Sequence, residues 1–285
     1  MTHKSLSLAG LFFVCLQAQP QASTSQSFEV ASIKKHKPGD RRGGWPEFLP
    51  GGKFTTSGAP LYILIAIAYD LPFQSDRLTG GPGWVKSEEG VYDIEAKAED
   101  GAIPAGMSAR ARQAKMKLML QGLLADRFKL VIHHETKELP VYALLAAKDG
   151  PKLHMSTMDE KDCPEVPTRE ISCHQIGGGQ GRGLHGKAVD MSDLVLFVAN
   201  WTDRPMVDRT GIKGLFDVET DGWLPFRPRP APAPGAEPSA EDIAMADPAR
   251  PTLQMVLARL GLRMETQKAP VEMYVIDHVE KPTEN

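Results

Sequence analysis

Asp76-Arg77-Leu78-Thr79-Gly80-Gly81-Pro82-Gly83 recurs, one residue shorter, as Asp208-Arg209-Thr210-Gly211-Ile212-Lys213-Gly214. The flanks of the two segments also correspond. Upstream, Leu61, Leu64, Ile65 and Ala68 have the i, i+3, i+4, i+7 spacing of one buried helix face, and Leu194, Phe197, Val198 and Trp201 repeat it. Downstream, Tyr92-Asp93-Ile94-Glu95 answers to Phe216-Asp217-Val218-Glu219. A second helix then ends in Leu123 to Leu130 in one copy and Val256 to Leu262 in the other. Each copy closes on a lysine followed by Pro-Val, at Lys137 with Pro140-Val141 and at Lys268 with Pro270-Val271. An ordered run of matches over roughly 90 residues predicts an internal duplication.

The fold class expected from this pattern is α+β, with two duplicated β-α-β-β-α-β-β units whose mixed or antiparallel sheets are each packed by two helices. The first unit spans residues 23–151, including an extra first strand at Phe28 to Ile33, where apolar and polar residues alternate. Its helices are expected at Pro60 to Tyr69 and from about Ala109 to Ala125. Its closing strands are expected as two pieces, Phe128 to Glu135 and Val141 to Ala147. Residues 152–183 read as a connecting segment. The second unit spans 184–285, with helices at Met191 to Trp201 and Thr252 to Leu260, and closing strands at Arg263 to Thr266 and Val271 to Val279. An insertion at 223–251 is rich in proline and alanine, a composition that favours extended chain over a packed core.

Residues 1–22 read as a secretory signal, with His3 and Lys4 ahead of an apolar run from Leu6 to Leu16 and small residues near Ala18 and Ala22. That run is about 11 residues, whereas a spanning helix needs about 20. A secreted or periplasmic protein is therefore expected, with no integral membrane segment once the signal is removed. A net charge of -3 with 24% charged residues favours neither nucleic acid nor an anionic membrane as partner. The mature chain keeps Cys163 and Cys173, which are expected to pair in an oxidising compartment, closing a loop worth about 3 kcal/mol. The alternative is a metal pair with His154 or His174, although the spacing fits no standard zinc signature.

The opening Phe28-Glu29-Val30-Ala31-Ser32-Ile33-Lys34, the helix end Leu124-Ala125-Asp126-Arg127-Phe128-Lys129-Leu130, Val207-Asp208-Arg209-Thr210-Gly211 and the tail Ile276 to Asn285 together resemble the soil-associated secreted family of acidobacteria, the DUF3738 family of unknown function. The resemblance covers nearly the whole mature chain. Relatives of this domain occur fused behind membrane-embedded metallopeptidases of the antibiotic-sensor type, which implies an extracytoplasmic sensing or binding role. This chain has no His-Glu-x-x-His motif, and the family supplies no catalytic residues to carry over. The order of elements is also similar to the small N-terminal interaction domains of secretins and TonB-dependent receptors, a likeness of fold alone.

Several local patterns bear on chemistry. The repeated Asp-Arg segment is either a ligand loop or a turn whose aspartate caps nearby N–H groups. Gly177 to Gly183 lacks the Lys-Ser/Thr ending of a phosphate loop and reads as connecting chain. His133 and His134 are adjacent on a predicted strand, so they face opposite sides and cannot share one metal. Glu88 and Glu89 read as solvated carboxylates, and there is no Gly-x-Ser-x-Gly elbow. Trp201 fits a helix core face, whereas Trp84 and Trp223 sit at Gly/Pro-rich loops. They are carried, with Asp208 and Arg209, as candidate contact residues for an envelope protein or a glycan. No catalytic residue, cofactor or metal ligand is assigned. The leading expectation is a secreted, non-enzymatic binding or interaction module of the cell envelope. The alternatives are a secreted hydrolase with a site between the repeats and a detached extracytoplasmic sensor domain.

Overall fold

The computed structural model describes residues 27–37, 39, 44–73, 75–165, 172–225 and 249–283. The expected signal at 1–22 and most of the Pro-rich insertion, 226–248, lie outside them. The described residues form an α+β fold of four α-helices and twelve strands. The first half runs β1 (Phe28–Lys35), β2 (Gly44–Leu49), β3 (Lys53–Pro60), α1 (Leu61–Ala68), β4 (Leu78–Gly80), β5 (Val91–Ala98), α2 (Ala109–Arg127) and β6 (Val131–Ala146). The second half runs β7 (His154–Met155), β8 (Gln175–Gly179), β9 (Gly183–Val189), α3 (Met191–Ala199), β10 (Met206–Asp208), β11 (Phe216–Glu219), α4 (Leu253–Arg259) and β12 (Leu262–His278). Residues 152–183, expected to be connecting chain, thus supply β7 and β8. Between β1 and β3, β2 adds a strand beyond the β-α-β-β-α-β-β order expected for the unit.

These strands form three sheets where two were expected. The order β1-β5-β3-β2 in one lobe matches β7-β11-β9-β8 in the other, all antiparallel. The third sheet, β10-β6-β12-β4, draws on both halves: β6 and β12 pair antiparallel along their length, β4 pairs parallel with β12, and β10 pairs parallel with β6. Each half therefore lends its short strand to the long strand of the other.

The closing strands are continuous because their prolines do not break them. Pro140 lies opposite Lys268 and Pro270 opposite Glu138. The outer pairings of β6 and β12 begin only at Tyr142 and Tyr274, so both prolines sit where the outward side of the strand has no paired neighbour. A proline is tolerated there because the N–H it lacks would face outward.

The hydrogen bonds set a different correspondence between the halves from the one the sequence match suggests. Tyr274 donates its N–H to Arg77 O and Tyr142 donates to Pro205 O, so Arg77 answers to Pro205. Asp76-Arg77 precedes β4, whereas Asp208-Arg209 ends and follows β10. The helix faces shift similarly: α1 starts after Pro60 and α3 after Asp190, which pairs Leu61, Leu64 and Ala68 with Met191, Leu194 and Val198, all buried. Phe197 and Trp201 are only half-buried, one turn too late.

Other matches keep their register. Tyr92 pairs with Ala59 one residue before α1's cap, and Phe216 pairs with Val189 one residue before α3's cap. Each following aspartate performs the same task. Asp93 Oδ1 accepts the N–H of Gly58 at 2.7 Å, and Asp217 Oδ1 accepts the N–H of Ala188 at 3.0 Å. Both acceptor sites serve a residue in the left-handed region, with φ of 72° at Gly58 and 47° at Ala188. Both lie where the pairing of their strand slips by a residue. The helix ends match as well: α2 and α4 are each followed by a left-handed residue, Lys129 and Gly261, and then by buried Leu130 and Leu262.

Two cores result. Phe54, Leu64, Ile65, Ile94, Leu120, Leu124 and Phe128 anchor the first, and Leu184, Leu194, Val198, Phe216, Trp223 and Leu257 the second.

Candidate functional site

Two joined chambers open where the halves meet. The larger, about 580 Å³, is walled by Ser75, Asp76 and Arg77 before β4 and by the α3–β10 loop, Asn200 to Pro205, with Leu139, Pro140 and Met273 from the shared sheet. The smaller, about 400 Å³, reaches Arg110, Gln113 and Lys117 on α2 and Ser192, Asp193, Val195 and Leu196 on α3. Pro72, Arg77, Ala199 and Pro205 line both.

The smaller chamber is floored by a buried polar cluster. Asp190 caps α3 by accepting the N–H groups of Ser192 and Asp193, while Asp193 Oδ2 accepts the N–H of Asp190. Into this capping box comes Arg110 from the first half, whose Nη2 donates to Asp190 Oδ2 at 2.6 Å and Asp193 Oδ1 at 2.8 Å. His174 completes the cluster with a side chain wholly out of solvent. Its Nδ1 lies 2.8 Å from Asp193 Oδ2 and 2.9 Å from Arg110 Nη2, and its Nε2 lies 2.6 Å from Glu160 Oε1. The expected disulfide holds this ring in place. Cys163 and Cys173 are joined with their Cα atoms 5.8 Å apart, and Ala109, next to Arg110, packs with them.

The electrostatics follow from that packing. Burial opposes a charge on His174, but the hydrogen bond and charge of Asp193, with the charge of Glu160, outweigh burial and the neighbouring Arg110 and raise its pKa. Burial likewise acts against Arg110, and its two aspartates more than restore its charge. Asp190 is held below its ordinary value: burial pushes it up, but Ser192, the Asp193 N–H and Arg110 prevail. His174, Asp190 and Asp193 have the mutual spacing of a metal triad. Arg110 Nη2 is within 2.9 Å of an atom of each, so a guanidinium already supplies the cation. The Glu160, Cys163 and His174 grouping is also no ligand set, since Cys163 is spent in the disulfide.

The residues singled out in the sequence are dispersed. Asp208 accepts the N–H of Thr210 at 2.8 Å and its hydroxyl at 2.7 Å, the geometry of a capped turn; Arg209 beside it is exposed. Asp208 also edges the smaller chamber. Trp223, expected at an accessible loop, is fully buried against Trp201. Trp84 is half-buried on the first core, with Lys281 Nζ 5.7 Å over its ring. His133 and His134 turn to different carboxylates, Asp277 and Glu272. The Gly177 to Gly183 run forms the turn of the β8–β9 hairpin, and a Cβ on Gly179 would lie 2.4 Å from the Trp201 ring. Glu89 meets Lys281 at 2.7 Å.

Sequence reasoning missed Arg110, His174, Glu160, Asp193, Arg77 and Arg204 as one neighbourhood. The only local signal was the cap at Asp190, because the cluster joins residues as far apart as Arg110 and Asp193, 83 positions away.

A search of the curated proteins and of the solved structures finds no match. The family described as a protein of unknown function, DUF3738, matches residues 62–279. That stretch begins inside α1 and ends just after β12, taking in the second lobe, the shared sheet and every residue of the polar cluster, while β1, β2 and β3 of the first lobe lie ahead of it. By that match the chain belongs to the DUF3738 family.

Proposed function

We propose that this chain is a secreted, non-enzymatic binding module of the cell envelope, formed by two halves that descend from one unit and hold a ligand in the cleft between them. The observation that carries the reading is the larger chamber, whose walls are equivalent loops of the two halves. Its volume is within the range of small-molecule sites. Its lining mixes Trp201, Leu139, Pro140 and Met273 with Asp, Arg, Asn, Gln, Thr and Ser side chains, and among the described residues it includes no histidine, cysteine or lysine that could activate the Ser75 hydroxyl. That composition suits recognition better than nucleophilic chemistry. The one buried histidine nearby has both ring nitrogens occupied. The disulfide supports an oxidising compartment. The matched order of elements and sheets, the paired Asp93 and Asp217 bulges and the exchanged short strands support descent from one unit.

Ala199 lines both chambers, so Ala199→Trp fills the cleft from a helix end. Mature wild-type protein is expected to co-sediment with the isolated cell envelope, and the folded variant to lose that retention. Equal retention by the variant overturns the cleft, and steady turnover of envelope glycans or peptides by the wild type overturns the non-enzymatic reading.

A further inference from the structure

Nearly every formal charge lining the smaller chamber is balanced by a neighbour. Arg110 is matched by Asp190 and Asp193, Lys117 by Asp70, and His174 by Asp193 and Glu160. Arg77 breaks the pattern. It is half-buried and lines both chambers. Its guanidinium lies 5.7 Å over the Tyr274 ring, and its Nε–H donates to the Glu272 carbonyl at 2.9 Å. Among the described residues no carboxylate oxygen comes within 4.0 Å of it. The neighbouring acid is already engaged: Glu272 takes His134 Nδ1 at 2.9 Å and the Tyr274 hydroxyl at 2.7 Å. The opposite wall carries a second guanidinium in the same condition. Arg204 lies 5.5 Å over Tyr142, whose hydroxyl donates to Asp203 at 3.0 Å.

A guanidinium taken partly out of water without an acid partner is costly, and its planar fork matches carboxylate and phosphate oxygens two at a time. Tyr274 holds that fork against one face while its Nη groups make no hydrogen bond to any described residue. We propose, resting on the cleft reading above, that the ligand carries a carboxylate or phosphate group and that Arg77 binds it, with Arg204 meeting the ligand from the facing wall. Asp76 and Asp203 also line this chamber, so it is not a general basic patch. Selection comes from the placed guanidinium instead of from net charge.

The test is an NMR titration of the whole mature protein with two probes, inorganic phosphate and succinate, in wild type, Arg77→Gln, Arg204→Gln and Arg263→Gln. Arg263 is exposed on β12 outside the cleft and serves as the control. Wild type is expected to bind at least one probe saturably, with shifts centred on the cleft. Arg77→Gln is expected to weaken that binding about tenfold or more, Arg204→Gln less, and Arg263→Gln not at all. The probe that binds more tightly identifies the oxyanion. Absence of saturable binding by both probes, or undiminished binding by Arg77→Gln, overturns the proposal. If that happens while Ala199→Trp still abolishes envelope retention, the cleft reading stands and only the anionic ligand falls.

Discussion

The two halves share an order of elements but differ in how their first helices begin. Helix α1 follows Pro60, which offers no side-chain cap, and its first turn carries no acid. Helix α3 follows Asp190 and carries Asp193, and this capping box receives Arg110 and His174. Apolar positions are equivalent where both halves need a core, while polar groups have accumulated at one helix start only. Packing constrains the first set in both halves alike. The second set lies beside the smaller chamber, and the start of α1 carries no counterpart to it.

The largest effect expected from this comparison concerns the equivalent leucines. Leu64 and Leu194 are both fully buried, so Leu64→Ala and Leu194→Ala should each cost about 2 to 5 kcal/mol in urea unfolding. Phe197→Ala, which the uncorrected sequence alignment would rank with them, should cost clearly less because Phe197 is half-buried. A Phe197→Ala loss equal to that of Leu194→Ala would restore the sequence alignment and break the structural one.

The polar difference predicts a dependence on pH. His174 has a raised folded-state pKa, so its protonated form stabilises the fold. That stability is complete below the unfolded value of about 6.5 and is lost as pH rises through the higher folded value. His133, bonded to Asp277 and Glu135, is raised as well and acts in the same direction, so His133→Gln is the background for the measurement. In that background, melting temperature should fall as pH is taken upward from about 6.5, and His174→Asn should flatten the slope. An unchanged slope would remove His174 as its source.

The smallest effect tests the two bulges. Gly58→Ala places a side chain at φ 72°, with its Cβ 3.2 Å from His36, and should cost about 1 kcal/mol. Ala188→Gly relieves the same backbone conformation but removes a buried methyl worth about 0.8 kcal/mol, so the two contributions should nearly cancel. Thermal melts of the pair decide whether the bulges are equivalent in energy as well as in shape.

What could be read from the sequence was what is local. Tyr92-Asp93-Ile94 and Phe216-Asp217-Val218 show their correspondence because strand alternation and the bulge-capping aspartate lie within three residues. The helix ends before Leu130 and Leu262 are legible for the same reason, and the cysteine pair was legible from composition. The continuity of β6 and β12 was not, because a proline is silent about whether its N–H would face a neighbour. The cleft was not legible either. Arg77 and Arg204 stand out because, among the described residues, no carboxylate oxygen lies within 4.0 Å of either, and that is a property of the packed structure.

The exchange of β4 and β10 has a kinetic consequence. Leu78 finds its strand partner at Tyr274, about two-thirds of the 285-residue chain away, so the first half cannot finish its part of the shared sheet until β12 exists. Contacts of such separation close slowly because chain entropy must be lost before they return anything. During synthesis the first half waits with β6 as an open strand edge, prone to pairing with another chain. Once closed, the exchange ties the lobes into one cooperative unit, so that loosening either half loosens both.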